Sequence, residues 1–264
     1  MSFETILVDV EDGIMTITMN RPERLNAWTH QMGSEMESAL KQGNSDAGVE
    51  AFVVTGSGRG FCAGADVKDL FHAQAESGEV RQGSREPGDW VATVRNSKPV
   101  VAAVNGAAIG VGLTQILPMD YIIAASGAKL SCRFIKMGLV PELASSHFLV
   151  SRCGMGAASE LMLSGKTVIA EEAKELRLVD KVVAPEDLLS EASAVAKSMG
   201  ENPQSALAMV KGLIFENMAE TDISLVQKRE LAALMKCYES AEHKEAIAAF
   251  LEKREPDFKG VLGN

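Results

Sequence analysis

Four cysteines are all that 264 residues carry, at positions 62, 132, 153 and 237. They form neither a Cys-x-x-Cys pair nor a ligand cluster, so reduced thiols in a cytosolic protein are the simple reading. Positive charge is also short: 26 basic against 36 acidic residues leave a formal charge of −10, with no long Lys/Arg run. Such a surface repels phosphate backbones and anionic lipid, which argues against nucleic-acid and membrane partners. The longest apolar stretch, "PVVAAVNGAAIGVGL", is broken by Asn105 and several glycines and is too short to span a bilayer. The first twenty residues alternate like a hairpin and lack the basic-then-apolar layout of a signal peptide, so the expected location is cytoplasmic. Several motifs are missing too. "NGAAIGVGL" reads G-x-x-x-G-x-G, which is not the dinucleotide fingerprint, and there is no phosphate loop, H-E-x-x-H or G-x-S-x-G elbow.

What is present is a core of 46% hydrophobic residues in a regular order. Residues 3 to 19 read as two strands joined near "EDG", and "AFVVTG" (51–56), "PVVAAV" (99–104) and "YIIAA" (121–125) read as buried strands. Helical segments near 29–45, 66–75, 87–97 and 112–118 lie between them, the alternation of an α/β architecture. After residue 145 come short helical pieces with glycine stops, then strand-like "LVDKVV", then helices from Leu188 to about Lys253. The chain divides accordingly into a core over 1–195 and a helical region over 196–264.

Two small-residue loops each follow a buried strand and open a helix: "GSGRGFCAGAD" (56–66) and "NGAAIGVG" (105–112). Backbone N–H groups at a helix N-terminus carry partial positive charge and can hold an oxyanion, so two such turns facing one site would stabilise a developing negative charge. Glycine and alanine there could equally serve only close packing of helix on strand.

"RPERLNA" (21–27), "GRGFCAGADVKDL" (58–70), "SKPVVAAVNGAAIGVG" (97–112), "MDYIIA" (119–124) and "MGLVPE" (137–142) together resemble the crotonase, or enoyl-CoA hydratase/isomerase, superfamily. The resemblance runs in order from residue 3 to about 253. It implies a spiral of ββα units, a C-terminal helical trimerisation region, a homotrimer or dimer of trimers, and an acyl-CoA thioester whose coenzyme A is part of the substrate, with no separate cofactor or metal. By the same resemblance the backbone N–H groups of Ala65 and Val111 would hold the thioester oxygen. Crotonases usually place glycine where Val111 sits; the branched side chain keeps the N–H and reshapes the adjacent acyl channel. Arg24 and Leu25 would line the coenzyme A site, Ala63, Asp66 and Val67 would lie near the adenine end, and Lys68 would add positive charge. Phe250 and Lys253 would approach from the last helix.

Hydration of a 2-enoyl thioester calls for two proton-handling groups, and family hydratases supply two glutamates. The matching positions here are Thr114 and Phe134. Moving a double bond from C3 to C2 needs one base, and "KMGLVPE" is similar to the 3-enoyl to 2-enoyl-CoA isomerase subgroup, which places that base at Glu142. An apolar surround of Leu139, Val140, Leu143 and Phe134 would raise the Glu142 pKa; a helix N-terminus beside it would lower it. Glu142 could instead be a first-turn cap of the helix "LASSHFLVSR". His147, Asp120, Asp180 and Cys62 read as structural. The expectations are therefore an enoyl-CoA isomerase, with a hydratase or another crotonase-type lyase as the alternative and a non-catalytic coenzyme A-binding protein as the rival of another class.

Overall fold

The computed structural model describes residues 3–66 and 89–261. The expected helix over 66–75, apart from Asp66, and the candidates Val67 and Lys68 fall outside them. Two parallel-rich sheets organise the first part of the chain. Strands β1 (Ile6–Glu11) and β2 (Ile14–Met19) form the antiparallel hairpin expected at "EDG", turning through Asp12 and Gly13, both at positive φ. Asp-Gly supplies that pair of left-handed conformations at little strain.

From there the chain alternates between the sheets. β3 (Ala51–Gly56), β5 (Val100–Val104), β7 (Tyr121–Ala125) and β10 (Lys181–Val183) extend the hairpin into a six-stranded sheet of order β1-β2-β3-β5-β7-β10. β4 (Gly60–Cys62), β6 (Ala107–Ile109), β8 (Lys129–Ser131) and β9 (Thr167–Ile169) make a four-stranded sheet, parallel except at β8–β9. From β3 to β8 the chain thus lays one strand in the large sheet and the next in the small one, the crotonase-like spiral, before β9 stays in the small sheet and β10 returns to the large one.

The continuous apolar runs follow from burial on both sheet faces. Phe52, Val54, Val100, Ala102 and Val104 pack into the main core, whereas Ala51, Val53, Val101 and Ala103 face Leu188, Ala192 and Ala196. Helix α1 (His30–Ser45) is capped by Thr29, whose hydroxyl accepts from Met32 N at 3.1 Å, and it buries Met32, Met36 and Leu40 one turn apart. Helix α2 (Trp90–Arg95) buries Trp90 and Val94.

Helix α3 is only Val111–Thr114, shorter than the expected 112–118. The first two of the short helical pieces expected after residue 145 form one helix, α4 (Ser145–Ser164), kinked at Gly154, whose φ of 76° lies outside helical space. Then come α5 (Ala170–Glu175) and α6 (Leu188–Gly200). The last helices are α7 (Gln204–Asn217), α8 (Ile223–Glu239) and α9 (Ala241–Glu252). The chain separates into two compact units, Met1–Lys197 and Ser198–Asn264. No described helix is long and apolar enough to cross a membrane.

Candidate active site

The two small-residue turns are neighbours. A Cβ placed on Gly110 would stand 4.0 Å from the Gly64 Cα, and one on Gly64 would meet the Ile109 carbonyl at 3.2 Å. Gly110 precedes α3 at φ 57°, Gly64 sits at φ 108°, and both positions favour glycine. Glycine also serves packing in these loops. Side chains at Gly106 and Gly112 would run into the carbonyls of Arg59 and Cys62 at 2.3 and 2.2 Å. The two roles proposed for small residues therefore fall on different glycines.

At Ala65 the hydrogen-bond pattern turns one N–H outward. Trp28 N donates to Gly64 O at 2.8 Å and Asp66 N donates to Trp28 O at 2.9 Å, the two bonds of a parallel bridge between Trp28 and Ala65. That geometry leaves the Ala65 N–H pointing away from residue 28, with no acceptor among the described residues. Val111 is the first residue of α3. Its N–H has no partner within the turn, since Leu113 and Thr114 take the Gly110 carbonyl. Two donors with no acceptor among the described residues thus stand on adjacent turns, a configuration able to receive an anionic oxygen.

The segment before α1 lies along the first turn. Ala63 N donates to Leu25 O at 3.0 Å, which sets Arg24, Leu25, Ala63, Ala65 and Asp66 side by side. Arg24 ends a 3-10 turn (Pro22–Arg24) and is exposed. Asp66 pairs with Arg21, Nη2 to Oδ2 at 2.9 Å, so this carboxylate is partly neutralised. Two asparagines that the sequence reading passed over hold the loops. Asn26 is fully buried and donates to Ser57 O and Gly60 O at 2.9 and 2.8 Å, while its Oδ1 accepts from Arg21 N at 2.8 Å. Asn105 accepts from Gly56 N and donates to Gly58 O. The available signal was the residue type: Leu25 and Asn26 both sit at positive φ, and asparagine tolerates that region better than most residues.

Glu142 is not a helix cap. Proline at 141 and left-handed conformations at Leu143 and Ala144 (φ 57° and 54°) delay α4 to Ser145, and the helix has no side-chain cap. The carboxylate turns to α3, where the Thr114 hydroxyl, itself fully buried, donates to Glu142 Oε1 at 2.9 Å. The Glu142 carbonyl accepts from Ser145 N at 3.1 Å and from its hydroxyl, which fixes the loop to the helix start. Although Glu142 is exposed as a residue, desolvation of its carboxyl raises the pKa above 4.5, and the Thr114 bond opposes the rise. Desolvation outweighs the hydrogen bonds.

The apolar surround differs from the expected one. Leu143 and Phe134 pack against the core, but Leu139 and Val140 are 40% and 83% exposed in this chain and cannot supply the desolvation. The Phe134 ring reaches the second turn, 4.0 Å from a Cβ placed on Gly110. Buried Cys132 lies near enough to feel the Glu142 charge; burial first and that charge second push its thiol up to about 11. Cys62, pushed up to about 11 by burial, is likewise a poor nucleophile.

His147 is exposed on α4. Asp120 accepts from Val100 N, and Asp180 accepts from Ile122 N and pairs with Arg152, so both join strands. Phe250, 83% exposed on α9, and Lys253, its exposed C-cap, belong to the second unit. Among the described residues no group of three or more His, Cys, Asp or Glu side chains is arranged to hold a metal ion.

The chain matches the enoyl-CoA hydratase/isomerase family model over residues 9–261. It is 37% identical to the 1,2-epoxyphenylacetyl-CoA isomerase of Escherichia coli (strain K12) over 97% of this chain and 99% of that protein. It is 34% identical to the crotonyl-CoA hydratase of Syntrophomonas wolfei over 98% and 99% of the respective chains. Among solved structures, an enoyl-CoA hydratase from Polaromonas sp. JS666 superposes with a TM-score of 0.88 at 33% identity, covering 96% of this chain and 98% of that one. With its spiral of strands, its paired glycine turns and a match across nearly its whole length, the chain belongs to the enoyl-CoA hydratase/isomerase family.

Proposed function

We propose that this protein moves the double bond of a 3-enoyl-CoA to C2, with Glu142 as the single proton carrier and the Ala65 and Val111 N–H groups holding the thioester oxygen. The carboxylate takes a proton from C2, and the electron pair moves into the thioester to give a dienolate. The two N–H groups bear the charge on that oxygen. Protonated Glu142 then returns the proton to C4, which leaves the double bond between C2 and C3 and regenerates the base. The raised pKa suits both halves, since a stronger base abstracts more readily and its conjugate acid still donates.

The observation that carries this reading is the Thr114–Glu142 bond. A hydroxyl stands against the carboxylate where hydration would call for a second acid, and Phe134 fills the other position. Coenzyme A would lie along Arg24, Leu25, Ala63 and Asp66. The shared family is consistent with this assignment; the hydratase names of other relatives favour a second reading, hydration of 2-enoyl-CoA. Product analysis separates them. Conversion of 3-hexenoyl-CoA far faster than formation of 3-hydroxybutyryl-CoA from crotonyl-CoA is expected. The reverse ranking would give the protein to hydration, and acyl-CoA binding without either product would make it a binding protein.

A further inference from the structure

We propose that Thr114 is the positioning residue for Glu142: its hydroxyl clamps Oε1 to the first turn of α3 and leaves Oε2 as the oxygen that carries the proton. The inference rests on Glu142 being the base. Thr114 has one hydroxyl proton, and the structure directs it to Glu142 Oε1 at 2.9 Å. Its side chain is completely buried and its backbone N–H is tied to Gly110 O at 3.0 Å, so the hydroxyl is fixed relative to the turn. Val111 begins that same turn three residues earlier, about 4.5 Å of helical rise away.

One short helix thus sets both the free N–H of Val111 and the reach of the Glu142 carboxylate. No other described residue donates a hydrogen bond to the Glu142 carboxylate, which leaves Oε2 available to take and return a proton. Restricting transfer to one oxygen keeps the carbon acceptors on one face of the dienolate. Residues 135–140 are exposed, and beside the Thr114 bond the Glu142 segment is tied by the bond of the Glu142 carbonyl to Ser145 and by Leu143 packing against the core.

The electrical surroundings are simple. Among the described residues, Cys132 is the titratable group shown to feel the Glu142 charge, and its thiol, at about 11, stays neutral over the working range. No described cation contributes to the shift of Glu142, whose causes are desolvation, the Thr114 hydroxyl and its own backbone. The hydroxyl bond favours the ionised form, so its removal raises the pKa further.

The test compares Thr114→Val, which keeps the volume and removes the donor, with Thr114→Ser, which keeps the donor. Thr114→Ala serves if the valine variant does not fold. Two readouts are taken: the pH profile of kcat/KM with 3-hexenoyl-CoA, and the Glu142 carboxyl titration by carbon-13 NMR, assigned by its absence in Glu142→Gln. For Thr114→Val, the acidic limb and the carboxyl titration should both move upward by about one pH unit, with kcat about tenfold lower, the scale of one hydrogen bond to a charged group. KM should change little, and Thr114→Ser should behave as the parent.

Unchanged limb, titration and kcat in a folded Thr114→Val protein would overturn the proposal, as would a serine variant as impaired as the valine one. If the wild-type protein did not isomerise 3-hexenoyl-CoA, the isomerase reading would fail on its own. The NMR titration would still report whether Thr114 holds the carboxylate.

Discussion

Taking a carboxylate partly out of water penalises its charged form, and at Glu142 this outweighs the hydroxyl that stabilises the charge. The sign for stability follows. With a folded pKa above the unfolded value, the native state holds more protons in the window between the two, so stability falls as pH rises through it. Glu142→Gln should therefore melt above the wild type at neutral pH, with the difference vanishing below the ordinary carboxylate range; paired melting curves across that range check this. A second residue-scale expectation concerns Val111. If its N–H holds the thioester oxygen, Val111→Pro should lower kcat by about 10² to 10³, whereas Val111→Gly should retain activity because it keeps the donor. Steady-state kinetics on the pair separates loss of the donor from a change of side chain. The departure at Val111 was legible as a letter in the sequence, and so were Thr114 and Phe134. That Thr114 would bond Glu142 was not, because the contact joins residues 28 positions apart through a loop whose path depends on Leu143 and Ala144 adopting left-handed conformations.

Elements were legible where burial is two-sided. β3, β5 and β7 coincide closely with the apolar runs because neither sheet face is solvated, and the Asp12–Gly13 hairpin follows from turn chemistry. The helix after residue 141 was misread at its start for a local reason. Proline at 141 resembles a first-turn residue, yet two left-handed residues intervene before Ser145. The short α3 is the element on which the site turns, and Gly112 lets it approach β4. A methyl group there would press on the Cys62 carbonyl at 2.2 Å, a backbone atom that cannot swing aside. Gly112→Ala should cost about 1–3 kcal/mol, as overpacking does, lowering Tm in calorimetry. It should also reduce kcat beyond what the lost stability explains, because the turn bearing Val111 and Thr114 is displaced.

At the scale of the whole molecule, the hydrophobic core lies in the spiral unit, and the helices of the second unit leave Ile214, Ile223, Leu231, Met235, Phe250 and Leu251 in solvent. So much apolar surface on three helices fits self-association, and a trimer or dimer of trimers is the proposed assembly. Sedimentation equilibrium should return a multiple of three of the 28.1 kDa chain, and a monomer at micromolar concentration would contradict it. The net charge of −10 requires that an anionic ligand be met by local cations, and exposed Arg24 beside the first turn is one such candidate. The most direct measurement is the turnover of 3-hexenoyl-CoA by Glu142→Gln, with acyl-CoA affinity measured on the same protein by calorimetry. Turnover should fall by about 10² to 10⁴, the scale of a lost general base, while the ligand still binds. Full turnover by the glutamine variant would contradict the assignment of Glu142 as the proton carrier.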